Sequence, residues 1–152
     1  MSLSYNNKFL DTDENITNDD ILRIEEKYNF VFPKEIREHY LTFNGGKTER
    51  HIFEDDGYEY IVDYFIPIKK NTKEQRNLEF VLDTLRVEDD ILPQWLIPIA
   101  DDPGGNIFCF SIREDEEGAI YYWTHEYEYG EDPEEYVSYL AESIKVFIEE
   151  MV

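Results

Sequence analysis

The chain has 152 residues, the size of one ordinary domain, and its 41% hydrophobic and 16% aromatic content excludes an intrinsically disordered protein. Its 36 acidic and 14 basic residues give a net charge of −22, which excludes binding to nucleic acid or to an anionic membrane leaflet through that charge. The charge favours a cationic partner, and the alternative is a surface that is acidic only for solubility.

The first part of the chain is predicted to be helical. Residues 1–15 are polar and acidic, and we expect them to form a loosely ordered N-terminal segment. Helices are predicted over residues 17–28, where Thr17 is a suitable N-cap, and over residues 33–43, where proline suits the first helical position. Asn44–Gly45–Gly46 then supplies a left-handed stop to the second helix.

The period of the pattern changes after this stop. Aromatic residues alternate with other residues between positions 52 and 68, which predicts strands, with a turn at Asp56–Gly57. Apolar residues at helical spacing then predict a third helix over residues 73–87.

The second half contains the clearest strand signals, followed by a helical pattern. Apolar strings separated by turn residues predict a β-meander over residues 96–100, 106–112 and 119–124. Asp132 and Pro133 are suitable for the start of a last helix, predicted to run to Met151. We therefore predict one α+β domain over residues 1–152, an antiparallel or mixed β-sheet flanked by N-terminal helices and a C-terminal helix.

No catalytic, cofactor or metal site is predicted. Cys109 lies in an apolar strand, where a buried thiol is expected rather than a nucleophile. Gly104–Gly105 precede strand residues and not the helix N-terminus that a phosphate-binding loop needs. No acids or histidines have the spacing of a calcium or zinc motif. Paired carboxylates are expected by chance among 36 acids and therefore do not indicate catalysis. An acid-dependent hydrolase is kept only as a third hypothesis, which a pocket with two inward carboxylates would support.

The sequence also indicates a location. It contains neither a secretory signal pattern nor an apolar run of the roughly 20 residues that a membrane-spanning helix needs. Its single cysteine cannot form an internal disulfide. We therefore expect a cytoplasmic protein with no membrane partner.

The mixing of aromatic residues with acids points to a binding function. No lysine or arginine occurs from Glu114 to Ile144. A protein that binds a basic surface uses aromatic side chains for contact area and acids for electrostatic steering. We therefore predict that the partner is bound by acids and tyrosines at turns and strand ends: Asp55, Asp56, Tyr58, Glu59, Asp101, Asp102, Glu126, Tyr127 and Glu128.

Three stretches resemble, in order, the signatures of the SUKH superfamily. Residues 32–46 are similar to its leucine–proline, helix and asparagine–glycine–glycine signature, with Phe32 where leucine is usual. Residues 96–108 resemble the second signature, an apolar strand that ends in alanine before a turn with glycine and an acid or amide. Residues 120–126 resemble the third, a strand ending in tryptophan-x-histidine, with Thr124 where aspartate is frequent.

The resemblance spans residues 16–152 and implies an α+β fold without catalytic activity. It implies a role as well, because bacterial members of the superfamily are immunity proteins that neutralise polymorphic toxins, often nucleases. Fungal relatives are scaffolds in cell-wall regulation. We therefore expect an immunity protein that binds a cognate toxin with a basic surface, and the alternative is a regulatory scaffold that binds a cellular protein.

Overall fold

The computed structural model describes residues 3–68, 77–124 and 132–152. The helices in this part of the chain are α1 (Asn18–Tyr28), α2 (Lys34–Thr42), α3 (Leu78–Leu82) and α4 (Ile144–Glu149). The strands are β1 (Phe9–Leu10), β2 (Lys47–Thr48), β3 (Ile52–Asp55), β4 (Tyr58–Ile61), β5 (Tyr64–Phe65), β6 (Leu96–Asp101), β7 (Ile107–Ser111), β8 (Ile120–Trp123) and β9 (Val137–Ala141).

The central element is a five-stranded antiparallel sheet in the order β5-β6-β7-β8-β9. The predicted meander is confirmed, because β6, β7 and β8 are neighbours in this sheet. Every residue of β6 and β7 is buried, which explains why both strands are apolar without alternation up to their last residues, Asp101 and Ser111. Two further pairs, β1 with β2 and β3 with β4, lie outside the sheet.

Both faces of the sheet are covered by apolar side chains. The four helices pack on one face, where Ile24 of α1, Tyr40 of α2 and Phe147 of α4 join Phe108 and other sheet residues in the main core. A smaller cluster on the other face includes Cys109 and Trp123, with Trp95 packed against it. The α+β, single-domain architecture predicted from the sequence is therefore observed.

The last predicted helix is wrong in its first half. Asp132 does cap the start of a helical turn, where its side chain accepts a hydrogen bond from the Glu134 N–H at 3.1 Å, but that turn is a short 3₁₀ helix over Pro133–Tyr136. The chain then continues as β9, paired with β8, and helix α4 begins only after Ser143. Pairing with the neighbouring strand overrides the helical spacing of the tyrosines in this stretch.

The third helix is present but is not a regular α-helix over its whole length. Helix α3 begins after Asn77, whose side chain accepts a hydrogen bond from the Phe80 N–H at 2.9 Å. A π-helical segment over Asp83–Glu88 continues it. The predicted start of this helix at residues 73–76 lies outside the described residues.

The N-terminal segment, expected to be loosely ordered, packs against the domain over its described residues. The Phe9 ring stacks on Phe43 at a centroid distance of 4.5 Å, and β1 pairs with β2. The Asn7 side chain donates hydrogen bonds to the carbonyls of Arg50 and Ile148, both at 2.9 Å. These contacts join the segment to the end of α4.

Asn44 and the two glycines form a junction rather than the left-handed helix stop predicted from the sequence. Helix α2 ends at Thr42, and Phe43 follows in an extended conformation. Gly45 and Gly46 do have the predicted positive φ, at 76° and 95°. A β-carbon on Gly46 would lie 2.6 Å from the carbonyl oxygen of Leu10, so the chain needs glycine here for close approach as well as for its backbone conformation.

Candidate functional site

Four of the predicted partner-binding residues lie on one β-hairpin. Strands β3 and β4 are joined by a tight turn in which Asp56 and Gly57 both have positive φ, the geometry that suits a two-residue hairpin turn. The turn places Asp55 and Asp56 beside Tyr58, which is 71% exposed. The hairpin therefore presents an aromatic ring and carboxylates together, as the sequence predicted.

The hairpin also carries two like charges directly opposite each other. Glu54 on β3 pairs in register with Glu59 on β4, and both side chains are exposed. Like charges directly across a strand pair destabilise it. A basic partner placed beside this pair would relieve that repulsion, whereas the free chain retains it.

Asp101 and Asp102 differ in what their carboxylates do. Asp101 is only 7% exposed, and its Oδ1 accepts a hydrogen bond from the Tyr64 N–H at 3.2 Å. The sequence predicted Asp101 as a partner contact, but its burial leaves the carboxylate inaccessible. Asp102 Oδ1 accepts from the N–H groups of Gly104 and Asn106 at 2.9 and 2.8 Å. Asp102 therefore organises the turn and is half-buried rather than projecting from it.

The second oxygen of Asp102 fixes a tyrosine. The Tyr122 hydroxyl donates to Asp102 Oδ2 at 2.5 Å and accepts from Asn106 Nδ2 at 2.7 Å. Burial, and then the hydrogen bond to Asp102, raises the pKa of Tyr122 above its ordinary value, so the phenol stays protonated at neutral pH. The Tyr122 ring is held between the turn and the hairpin.

An open groove of about 510 Å³ separates the hairpin from the end of the sheet, and we call it the hairpin groove. One wall is β4, and the other comes from the turn after β6 and from the ends of β8 and β9. Its described lining carries two carboxylates and neither lysine nor arginine: Tyr58, Glu59, Tyr60, Ile61, Asp102, Pro103, Gly104, Tyr122, Thr124 and Ser138.

The groove floor is anchored to the core through a chain of aromatic rings. Tyr60 meets Tyr122 edge-to-face at a centroid distance of 4.9 Å. Tyr122 contacts Phe108 at 5.1 Å, and Phe108 contacts Phe147 of α4 at 5.4 Å. Because each ring packs on the next, the side chains of the floor are held in place by the core.

Sequence reasoning placed acids at this site but missed several residues of the groove. Tyr60, Ile61, Tyr122, Thr124 and Ser138 line it and were not among the predicted binding residues. Alternation along β4 was a usable signal for Tyr60, since it lies on the same face as Tyr58. Ser138 was hidden by the wrong prediction of a helix. The predicted contacts Glu126, Tyr127 and Glu128 lie outside the described residues.

Cys109 and His39 are buried in the core and do not line this groove. Burial raises the pKa of the Cys109 thiol, which leaves it protonated and unreactive. Burial lowers the pKa of His39 to about 3, so its ring is neutral, and its Nδ1 lies 3.0 Å from the Tyr5 hydroxyl. No group of three or more His, Cys, Asp or Glu side chains arranged to hold a metal ion occurs among the described residues.

The sequence of residues 15–150 matches the family model described as the SMI1 / KNR4 family, SUKH-1. The chain belongs to this family. The match covers the two N-terminal helices, the sheet and all of α4, and it confirms the SUKH resemblance of the sequence motifs. Membership supports a non-catalytic role of the immunity-protein type and implies a protein partner in general.

A crystal structure of a protein from Pseudomonas syringae pv. tomato has a similar fold, with a TM-score of 0.52. The two sequences are 21% identical, and the alignment covers 75% of this chain and 71% of that chain. At this identity the likeness shows the fold alone. No curated protein matches the chain. Within the described residues, none of the helices combines the length and apolar character that crossing a membrane requires.

Proposed function

We propose that this chain is a cytoplasmic immunity protein that binds and neutralises a cognate protein toxin through the hairpin groove and the acidic β3–β4 hairpin. The toxin presents a basic surface, and a nuclease is the proposed class because a cleft that holds phosphates is cationic. The observation that carries the proposal is the hairpin groove itself. It combines aromatic rings anchored on the core with carboxylates, and its described lining lacks any basic side chain.

The charge of the whole chain supports the same proposal. A net charge of −22 attracts a basic protein over a distance set by salt, about 10 Å at 0.1 M ionic strength. Steering of this kind raises the association rate, while aromatic contacts at the groove slow dissociation. An immunity protein needs both, because it must reach the toxin before the toxin reaches its target.

The test is protection of cells that express a toxin encoded by the neighbouring gene. Two variants with the same net charge are compared. Glu54→Lys combined with Glu59→Lys reverses the charge of the hairpin. The two lysines are still a like-charged pair across the strands, so the folded hairpin keeps a comparable repulsion. Glu26→Lys combined with Glu38→Lys reverses two exposed acids on α1 and α2.

Cells are expected to survive with the native chain and with the α1–α2 variant, and to die with the folded hairpin variant. Full protection by the hairpin variant would show that the toxin is held elsewhere. If no adjacent toxin exists and the native chain protects against none, the alternative applies. The chain is then a regulatory scaffold that uses the groove for a cellular protein.

A further inference from the structure

We propose that the partner binds by strand addition: an extended, basic segment pairs with the free edge of β4 and becomes the third strand of the β3–β4 hairpin. This inference rests on the proposed function and names its binding mode. Strand addition gains affinity from main-chain hydrogen bonds and specificity from side chains on either face.

The hydrogen-bond pattern of the hairpin identifies which backbone groups are free. The Val62 N–H donates to the His51 carbonyl at 2.8 Å, and residue pairs alternate between bonded and non-bonded in an antiparallel ladder. The next pair, Ile52 with Ile61, and the pair Glu54 with Glu59 are therefore non-bonded pairs. The N–H and C=O groups of Ile61 and Glu59 consequently point away from β3.

The opposite edge of the hairpin confirms this geometry and is already covered. The Ile52 carbonyl, which by the same alternation points away from β4, accepts a hydrogen bond from the Val152 N–H at 2.8 Å. Val152 thus pairs with the β3 edge at Ile52. No backbone group elsewhere in the described residues pairs with the outward N–H and C=O groups of Glu59 and Ile61.

The free edge borders the hairpin groove. All four residues of β4 line the groove, although successive side chains in a strand point to opposite faces. The edge of β4, and not one of its faces, therefore forms the wall. A segment lying in the groove is placed beside the outward backbone groups of Glu59 and Ile61.

The charges and side chains around the edge favour a basic occupant that is not a second copy of this chain. Glu59 and Asp102 line the groove, and Ile61 is 44% exposed beside them. A segment that alternates basic and apolar residues fits both features. A second copy adding its own β4 would bring the acidic hairpins together, because each edge carries Glu59 opposite Glu54.

The probe is a short peptide that alternates lysine and valine, blocked at both ends and titrated into the ¹⁵N-labelled full chain. In the free chain we expect the Tyr60 and Val62 amides, which point toward β3 and its flank, to exchange slowly, and those of Glu59 and Ile61 to exchange fast. The peptide is expected to slow exchange at Glu59 and Ile61 by about tenfold or more. A peptide N-methylated along one edge, which cannot donate to the strand, serves as the control.

A variant pair separates backbone pairing from side-chain contact. Ile61→Pro removes an outward N–H, a position at which an edge strand tolerates proline, and Ile61→Val keeps that N–H. Ile61→Pro is expected to weaken peptide binding about fivefold relative to Ile61→Val. Peptide binding without new protection at Glu59 and Ile61, equal binding of the N-methylated peptide, or no binding at millimolar peptide overturns strand addition. The exchange measurement on the native chain needs no variant to fold.

The failure of strand addition and the failure of the proposed function have different signatures. If the native chain and Ile61→Pro protect cells equally well from the toxin, the immunity role stands and strand addition is wrong. If the native chain protects against no toxin, the immunity role is wrong, and the exchange data alone decide whether the β4 edge accepts a strand.

Discussion

The Asn44 junction and the β3–β4 hairpin both contain glycine with positive φ, but they differ in whether their polar groups are hydrogen-bonded inside the domain. Asn44 is buried, and its side chain donates to the carbonyls of Glu14 and Ile68 at 2.8 and 2.7 Å and accepts from the Ile68 N–H at 2.8 Å. The hairpin leaves the outward backbone groups of Glu59 and Ile61 unpaired among the described residues.

This difference separates residues that hold the fold together from residues that are available to a partner. Every polar atom of the Asn44 side chain is used inside the domain, so its loss affects stability. The hairpin retains a like-charged pair and an open edge, both of which cost free energy in the isolated chain.

The largest effect on stability is expected for Asn44→Ala. The change removes three hydrogen bonds and leaves the buried Ile68 backbone without its partner. We expect the free energy of unfolding to fall by about 3 kcal/mol or more, measured by urea denaturation. Asn18→Ala is the control, because Asn18 makes an exposed hydrogen bond with Arg37, and its loss is expected to cost less than about 0.5 kcal/mol. Equal losses would contradict the role given to the junction.

A smaller effect is expected from glycine replacements, and it differs between the two turns. Gly46→Ala places a β-carbon 2.6 Å from the Leu10 carbonyl oxygen at a φ of 95°, and we expect a loss of about 2 kcal/mol or more. Gly57→Ala also places a β-carbon at a positive φ, but that β-carbon would have no neighbouring atom within 4 Å. We therefore expect a loss of stability of about 1 kcal/mol from the backbone conformation alone. Thermal melting of the two variants checks the order, and a Gly57→Ala loss as large as that of Gly46→Ala would refute it.

The stability of the folded chain is expected to decrease gradually as the pH is lowered. Burial lowers the pKa of His39 from 6.5 to about 3, so below pH 6.5 the unfolded chain takes up a proton that the folded chain does not. Stability from this group is complete above pH 6.5 and falls as the pH drops, by up to about 1.4 kcal/mol per pH unit.

The variant His39→Gln isolates this contribution, because glutamine does not titrate and can still bond to Tyr5. Denaturation between pH 6.5 and about pH 5 should give a shallower slope for His39→Gln than for the native chain. Parallel slopes would show that His39 is protonated in the folded protein.

The parts of the fold that were predictable from the sequence carry their own local signals. Thr17 precedes α1, and Asp20 Oδ2 accepts a hydrogen bond from its N–H at 2.8 Å, as a capping box requires. The strands β6, β7 and β8 are continuous apolar strings between turn residues. The first half of the predicted C-terminal helix is wrong because Tyr136, Tyr139 and Leu140 match helical spacing by chance, while the pairing that makes β9 a strand is non-local.

The same distinction applies to the hairpin groove. Acids at turns could be predicted locally, and the hairpin acids lie where the sequence placed them. Asp101 and Asp102 could not be told apart, because only the register of β6 decides that one is buried and the other is half-buried at the groove. Ser138 and Tyr122 meet only through the pairing of β8 with β9. Neither the burial of Asp101 nor the contact between Ser138 and Tyr122 has a local sequence signal.

Binding of a basic partner at the hairpin groove can be measured as the affinity of the toxin for the two charge-reversal variants. Both have the same net charge and are expected to unfold within about 0.5 kcal/mol of the native chain. We expect Glu54→Lys with Glu59→Lys to weaken binding about tenfold or more, and Glu26→Lys with Glu38→Lys to weaken it less than about twofold. Equal losses would mean that only total charge matters, and a larger loss for the α1–α2 variant would place the partner on the helices.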